Sequence, residues 1–166
     1  MLPRRPAPDQ HVLAPSITVM RVLPTDIDLY LHGNIGRYLK MLDVARSTYI
    51  ADIGGFPKLR ARSWYPVVAA STMTYRRSLT LGQRFEITTR VLGWDERVVY
   101  LEQVFARGAT QYARGVVAGR FLTRGSGERV PAPRVVEALA GDALPSPEVP
   151  ADVLGWARAQ DVAHRG

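Results

Sequence analysis

The sequence contains no cysteine and only three histidines in 166 residues. The absence of cysteine excludes disulfides, thiolate nucleophiles, zinc–cysteine sites and iron–sulfur clusters. His11 and His164 lie in polar stretches near the two ends, which leaves His32 alone in the central part of the chain. A single histidine without cysteine supplies too few ligands for a typical metal centre, so we expect no metal.

Long hydrophobic runs are also missing. No apolar stretch approaches the roughly 18 residues that span a bilayer, although 46% of the residues are hydrophobic. The first eight residues, Met1 to Pro8, lack the apolar centre of a secretory signal. We therefore expect a globular, cytoplasmic protein without a membrane span.

Lysine is scarce too, since Lys40 and Lys58 are the only lysines among 22 basic residues. The net charge of +7 favours anionic partners. The arginines are spread along the chain without a basic run or interleaved aromatic residues, so we expect no binding of nucleic acid. Two interpretations stay open: a few arginines contact a small phosphorylated ligand, or they form an ordinary solvated surface.

A long amphipathic helix is the clearest feature that is present. Its apolar residues recur at three- and four-residue steps, as Ile35, Tyr38, Leu39, Leu42, Ala45, Tyr49 and Ile53. Asn34 suits the N-cap, because its side-chain oxygen can accept a hydrogen bond from an amide of the first turn. Gly54 and Gly55, followed by Pro57, predict the end of the helix and a connection after it.

Runs with strand character surround this helix. One strand precedes it at 16–23, and four follow at about 65–79, 83–93, 97–107 and 110–123. The links at 94–96 and 108–109 are short enough for antiparallel hairpins. Two short helices are predicted near the C-terminus, at 134–140 and 151–163, on either side of a proline-rich stretch.

The order of these elements predicts an α+β fold in which an antiparallel sheet of about five strands wraps around one long central helix. Residues 1–15 contain four prolines and no periodic pattern, so we expect a flexible N-terminal arm. The domain itself is predicted over 16–124. Residues 125–166 are predicted to form a C-terminal extension with short helices.

The segment just before the helix predicts a reactive site. Asp28 lies close to the first helical turn, whose unpaired amides, including that of Ile35, can bind an anion or a carbonyl oxygen. Hydrolysis of an acyl ester needs an oxygen base or nucleophile together with N–H donors for the developing oxyanion. Asp28 is our candidate for the carboxylate, and the Ile35 amide for the donor.

Neighbouring polar residues have both structural and functional interpretations. Asp26 is expected to fix the loop through a backbone amide. His32 either anchors the loop or touches substrate. Tyr30, two residues earlier, is a further candidate for substrate binding, and Asn34 is included in the substrate site because it places the helix.

Further along the chain, Asp43 is the reserve catalytic carboxylate. It lies three residues before Arg46, a spacing that suits an ion pair on one helix face. Arg76, Arg77 and Arg97 lie at predicted strand ends and are the candidate phosphate contacts, although each also suits a solvated surface.

The motifs Asp26-x-Asp28, His32-x-Asn34, Tyr38-Leu39 and Asp43-x-Ala45-Arg46, together with the order of elements, resemble a known family over about residues 17–123. This family is the hot-dog-fold acyl-CoA thioesterases, the group around 4-hydroxybenzoyl-CoA thioesterase, and within it the branch similar to thioesterase superfamily member 6.

The resemblance implies an acyl-CoA thioesterase, or one acting on acyl carrier protein, that needs no cofactor beyond the coenzyme A of its substrate. It implies that Asp28 is the nucleophile or general base and that the amide of Ile35 belongs to the oxyanion hole. Some members use a helical carboxylate, which would be Asp43 here. It also implies a homodimer or homotetramer with sites at subunit interfaces and basic groups that hold coenzyme A.

Two other functions stay open on the same fold. The bulky residues Leu29 to Leu31, together with Ile35, are compatible with an acyl-binding or partner-binding module that does not hydrolyse its ligand. A hydratase would need an Asp/His pair converging on one substrate, for which Asp28 and His32 are the available residues.

Overall fold

One long helix and six antiparallel strands form the centre of the computed structural model, which describes residues 9–27 and 35–165. The strands are β1 Ser16–Arg21, β2 Trp64–Tyr75, β3 Arg84–Trp94, β4 Val99–Arg107, β5 Thr110–Thr123 and β6 Arg129–Val130. The helices are α1 Ile35–Asp52, α2 Gly55–Ala61, α3 Ala132–Ala140 and α4 Ala151–Ala159. A single 3-10 turn, Pro24–Asp26, follows β1.

The sheet has the order β1-β3-β4-β5-β2, with every pair antiparallel. The two-residue strand β6 also pairs with β5, beside Phe121 and Leu122, where β4 has already ended. The predicted α+β arrangement is confirmed. The described sheet has six strands rather than about five, because a strand as short as β6 carries no periodic pattern.

The concave face of the sheet packs on α1, as the helix periodicity predicted. Tyr38, Leu42, Ala45, Tyr49 and Ile53 are all buried. Leu39, which we had placed on the same stripe, is 44% exposed. It follows Tyr38 directly, so the 100° turn between successive helical residues carries it off the buried face.

The connection after α1 is more structured than we expected. It contains the helix α2, in which Pro57 is the third residue. Proline is tolerated there, because amides of the first turn have no acceptor within the helix. Gly54 joins α1 to α2 with a φ of 64°, a conformation that favours glycine.

The C-terminal extension covers both faces of the sheet. On α3, Val135 packs in the core of the concave side, whereas on α4 Val153 and Ala157 pack on the convex side. Helix α4 ends before Asp161, whose φ of 54° is incompatible with a continuing right-handed helix. For this reason α4 is shorter than the predicted range to Ala163.

The described part of the expected N-terminal arm lies against α1. Val12 is buried, and its carbonyl accepts a hydrogen bond of 2.5 Å from the Tyr49 hydroxyl. The amide of Gln10 donates to the carbonyl of Asp52. Across residues 9–27 and 35–165, none of the helices has the length and hydrophobicity needed to cross a bilayer.

Candidate active site

An apolar cavity of about 270 Å³ lies between the helices of the concave side and the sheet. Its walls come from α1, α2, α3 and the inward-facing residues of the central strands, including Ile50, Leu59, Val117, Phe121, Val136 and Leu139. Aliphatic and aromatic side chains dominate this lining. The cavity can therefore hold an apolar group out of contact with water.

The cavity opens between α1 and the edge strand β2. The exposed members of its lining are Asp43 and Ser47 on α1 and Pro66 and Val68 on β2. Asp43 and Ser47 are four residues apart and thus share one helix face. We call these four residues the mouth of the cavity.

A polar network borders the mouth. Arg46 forms an ion pair with Asp43, as the spacing predicted, and also donates from Nη1 to Oε1 of Gln103 at 2.8 Å. Gln103 is fully buried, and its amide donates to the Leu42 carbonyl at 3.0 Å and to Thr89 Oγ1 at 3.1 Å. The side chain of Arg46 is 16% exposed and that of Asp43 is 70% exposed. The network thus holds a guanidinium beside an accessible carboxylate.

The Ile35 amide, our candidate donor to the oxyanion, is at the beginning of α1. Because α1 begins at Ile35, the Ile35 amide has no carbonyl four residues earlier within the helix. Ile35 and Asp43 are eight residues apart, which is about 12 Å along the axis. Two groups so far apart on one helix cannot both touch the same carbonyl.

The end of β2 packs beside this N-terminal part of α1. The rings of Tyr38 and Tyr75 meet edge to face at 5.3 Å, and the Tyr38 hydroxyl accepts from the Leu79 amide at 3.2 Å. Burial raises the pKa of Tyr38 above its ordinary value, although the bond from Leu79 opposes this shift, so the phenol stays neutral. Arg76 and Arg77 follow Tyr75 directly and are exposed.

Arg76 and Arg77 have their backbone fixed, because both amides donate to the carbonyl of Tyr112 at 2.8 and 3.1 Å. These bonds turn the chain, and β2 therefore ends at Tyr75 rather than near Leu79. The structure thus brings Arg76 and Arg77 to the same end of the fold as the Ile35 amide.

Arg97 lies elsewhere. It belongs to the turn between β3 and β4, at the opposite end of these strands, and its Nη1 donates to the carbonyls of Asp161 at 3.4 Å and Ala163 at 2.8 Å. Its side chain holds the C-terminal segment, and the structure does not bring it together with Arg76 and Arg77.

Four of the candidate residues, Asp28, Tyr30, His32 and Asn34, lie outside the described residues. Asp26 is described, and its Oδ2 accepts from the amide of Leu23 at 2.8 Å. This bond confirms the role predicted for Asp26 in fixing the loop, although the amide lies three residues before it rather than after it.

Two residues of the site were missed. Gln103 was not singled out, although a glutamine within an otherwise apolar stretch of strand is a signal for a buried hydrogen-bonding residue. Ser47 carries no sequence signal of its own. Among the described residues, no group of three or more histidine, aspartate or glutamate side chains could hold a metal ion.

The curved antiparallel sheet around one long helix is the hot-dog fold. The chain belongs to the thioesterase-like superfamily, whose family model matches residues 22–156. The fold and family that the sequence indicated are therefore confirmed.

Individual relatives agree with this assignment. Protein THEM6 of Danio rerio is 37% identical over 153 residues, which cover 92% of this chain and 73% of that protein. The chain spans between 50% and 73% of the length of the three THEM6 proteins from animals that it matches.

Solved structures show the same fold. YbaW, a probable thioesterase from Escherichia coli, has a TM-score of 0.68 and 21% identity, covering 75% of this chain and 98% of its own. The hypothetical protein SAV2348 from Staphylococcus aureus, solved in complex with CoA, has a TM-score of 0.69 and 13% identity, covering 87% and 94%.

Proposed function

We propose that the protein is an acyl-CoA thioesterase. The observation that carries the proposal is the apolar cavity, which opens beside a carboxylate on the central helix of a thioesterase-like fold. Such a cavity suits the acyl part of a thioester, and its exposed mouth leaves the coenzyme outside. The relation to a neighbour solved with CoA supports coenzyme A as the carrier, with acyl carrier protein as the alternative.

In the leading mechanism, Asp28 acts as nucleophile or general base. As a general base, its carboxylate takes a proton from water while the water oxygen bonds to the thioester carbon. The Ile35 amide donates to the carbonyl oxygen, which becomes an oxyanion. The carbon–sulfur bond then breaks, and coenzyme A leaves as a thiolate that recovers a proton. No cofactor is required for these steps.

Asp43 is the second candidate for the carboxylate. Its favourable features are its exposure and its position at the mouth, with Arg46 beside it. Because Asp43 and the Ile35 amide of one protomer lie about 12 Å apart, an Asp43 mechanism needs an oxyanion donor from another source. The helix of a second protomer could supply this donor.

A homodimer, or a tetramer built from dimers, is therefore part of the proposal. Strand β2 is at one edge of the sheet, and an unpaired edge of twelve residues invites pairing with another chain. Val68 on this strand is 48% exposed, and Leu39 and Val44 on α1 are 44% and 52% exposed. These apolar residues lie near the mouth and would be covered by a second copy.

Arg76 and Arg77 are the proposed contacts for the phosphates of coenzyme A. Their exposure and their position beside the beginning of α1 support this role. Guanidinium groups suit phosphate, because they can donate two parallel hydrogen bonds. Replacing both by alanine should raise KM for acyl-CoA more than it lowers kcat.

The decisive experiment measures thiol release from butyryl-, decanoyl-, palmitoyl- and benzoyl-CoA with four proteins: wild type, Asp28→Asn, Asp43→Asn and Asp26→Asn. Loss of a general base should lower kcat/KM by about 100-fold or more. Asp26→Asn is the matched control, because asparagine keeps the oxygen that accepts from the Leu23 amide. We expect the large loss in Asp28→Asn and less than about a threefold change in the control.

Other outcomes distinguish the alternatives. A large loss confined to Asp43→Asn would assign catalysis to the helical carboxylate. Full activity in both variants would exclude an aspartate mechanism at either position. If wild type binds acyl-CoA but hydrolyses none of the four, the protein is an acyl-binding module, and hydration of an enoyl-CoA is the remaining reaction to assay.

A further inference from the structure

We infer that the acyl group enters the cavity of a single protomer and that helix α3 and Gly119 limit it to a medium-chain aliphatic acid. This inference rests on the proposed function and specifies its substrate class. It starts from the cavity, which is closed by α3 through Val135, Val136 and Leu139. The C-terminal extension therefore forms one wall of the cavity.

The volume of the cavity sets the size of the ligand. A cavity of about 150 Å³ accommodates benzene, and the present volume of 270 Å³ is nearly twice as large. By the same scale it holds a straight chain of roughly ten carbons. Palmitoyl and longer chains exceed this volume.

The chemistry of the lining favours an aliphatic chain over a hydroxylated aromatic acid. Three polar side chains of the described lining, Asp43, Arg46 and Ser47, lie together on α1 near the opening. Deeper in the cavity, the Tyr49 hydroxyl already donates to the carbonyl of Val12. The proton of the Tyr49 hydroxyl is therefore already used, so Tyr49 cannot donate it to a phenolic oxygen in the cavity, which would lose its hydrogen bonds from water.

Gly119 keeps part of this space open. It lies on β5 and lines the cavity, and a Cβ built on it would meet only the Val99 carbonyl oxygen, at 3.7 Å. Gly115, four residues earlier on the same face of β5, is different, because its Cβ would lie 2.8 Å from Met73 Sδ. The backbone of β5 thus accepts a side chain at position 119, and the side chain would occupy the cavity.

The test measures binding of hexanoate, decanoate and tetradecanoate by titration calorimetry, so that it does not depend on hydrolysis. Each buried methylene should tighten binding about fourfold, so affinity should rise from hexanoate to decanoate and then level off. Gly119→Val should weaken the binding of decanoate at least tenfold and the binding of hexanoate by a smaller factor. Leu139→Ala removes part of the α3 wall, and the affinity should then keep rising to tetradecanoate.

Gly155→Ala is the matched control, because Gly155 is exposed on α4 and a Cβ there meets nothing within 4 Å. It should bind all three acids as wild type does. Equal affinity of decanoate for wild type and Gly119→Val, or no binding of any acid to wild type, would overturn the inference. If Gly119→Val does not fold, the inference is tested by wild type and Leu139→Ala alone. Affinity should level off after decanoate in wild type and keep rising to tetradecanoate in Leu139→Ala, and the same length dependence in both proteins would overturn the inference.

The failure of this inference is distinct from failure of the proposed function. If fatty-acid affinity follows the expected chain-length series but no acyl-CoA is hydrolysed, the thioesterase proposal is refuted and the inference of an acyl-binding cavity stands. Hydrolysis that does not distinguish butyryl- from decanoyl-CoA, and that keeps the same ratio in Gly119→Val, would refute the cavity assignment and keep the thioesterase.

Discussion

Arg46 on α1 donates from Nη1 to Oε1 of Gln103 on β4 at 2.8 Å, so a charged helix residue is tied to a fully buried strand residue. The side-chain amide of Gln103 in turn donates hydrogen bonds to the Leu42 carbonyl and to Thr89 Oγ1. Helix and sheet are therefore joined by directional bonds as well as by apolar packing. The same bonds fix the guanidinium beside Asp43 at the mouth.

Gln103→Met should reveal what this connection contributes. Methionine has a similar shape but leaves Thr89 and Arg46 without their partner, and unsatisfied buried polar groups cost about 1–3 kcal/mol. We expect a loss in this range in urea denaturation. Gln111→Met, at a half-buried position of β5, is the control and should change stability by less than about 0.5 kcal/mol. Similar losses in both variants would contradict the assignment.

Glu102 forms a second network on the convex face. Its two carboxylate oxygens accept from Nε of Arg90 at 2.8 Å and of Arg114 at 2.7 Å. Burial alone would raise the pKa of Glu102, but the hydrogen bonds and charges of both arginines outweigh it and lower the pKa below its ordinary value. The carboxylate therefore stays ionised at neutral pH.

Glu102→Gln should destabilise the protein by about 2 kcal/mol at neutral pH, because Arg90 loses its countercharge and Arg114 is left with the Asp152 carboxylate, 3.8 Å away. Glu86→Gln is the matched control, since Glu86 lies on the same face of the sheet as Glu102, on the neighbouring strand β3, but is exposed. It should change the free energy of unfolding by less than about 0.5 kcal/mol. Equal effects of the two substitutions would show that the network contributes nothing specific.

Much of the fold could be predicted from the sequence, because it depends on local periodicity. The spacing of apolar residues in α1 and the alternation in β3 reflect faces that are buried in the structure. The hairpin between β4 and β5 follows from a link of two residues, Gly108 and Ala109. Each of these signals is contained within a short stretch of chain.

The parts that were missed depend on distant contacts. That α3 would close a cavity against β5 could not be read from either segment, because the cavity exists only where they meet. Likewise, Arg97 has the sequence features of a phosphate contact but binds the carbonyls of Asp161 and Ala163. The catalytic assignments to Asp28 and the Ile35 amide stay predictions that enzyme assays must test.

Asp95, in the turn between β3 and β4, holds the C-terminal segment by accepting a hydrogen bond from the amide of His164 at 2.9 Å. Burial alone would raise its pKa, but hydrogen bonds from the amides of His164, Val98 and Arg97 and from the Tyr100 hydroxyl lower it below the ordinary value. The stability that the carboxylate contributes is therefore present above about pH 4, the range of an unfolded aspartate. It is lost as the pH falls through the lower pKa of the folded state.

Asp95→Asn should accordingly lose about 1–3 kcal/mol at pH 7, because the side-chain NH₂ cannot accept hydrogen bonds. The difference between wild type and variant should shrink as the pH is lowered from 4 towards 2, since wild type then becomes protonated as well. Thermal unfolding across this pH range measures the difference. A gap that stays constant between pH 7 and pH 2 would exclude an ionised Asp95 as its source.

The crossing of the C-terminal chain over the end of β3 allows the last prediction. A Cβ on Gly93 would lie 2.6 Å from Val149 Cγ2 and 2.7 Å from the Pro147 carbonyl oxygen. The amide of the next residue, Trp94, donates to Ser146 Oγ at 2.8 Å, so the two segments are held together closely. Because a backbone oxygen cannot rotate away, Gly93→Ala must displace this crossing segment.

We expect Gly93→Ala to lower the free energy of unfolding by about 1–3 kcal/mol, the usual cost of overpacking. The same substitution at Gly155, in the exposed part of α4, should instead raise it by up to about 1 kcal/mol, because alanine favours the helix. Hydrogen exchange should show faster exchange around residues 146–149 in Gly93→Ala only. If Gly93→Ala is as stable as Gly155→Ala and exchange there is unchanged, the close crossing does not exist in solution.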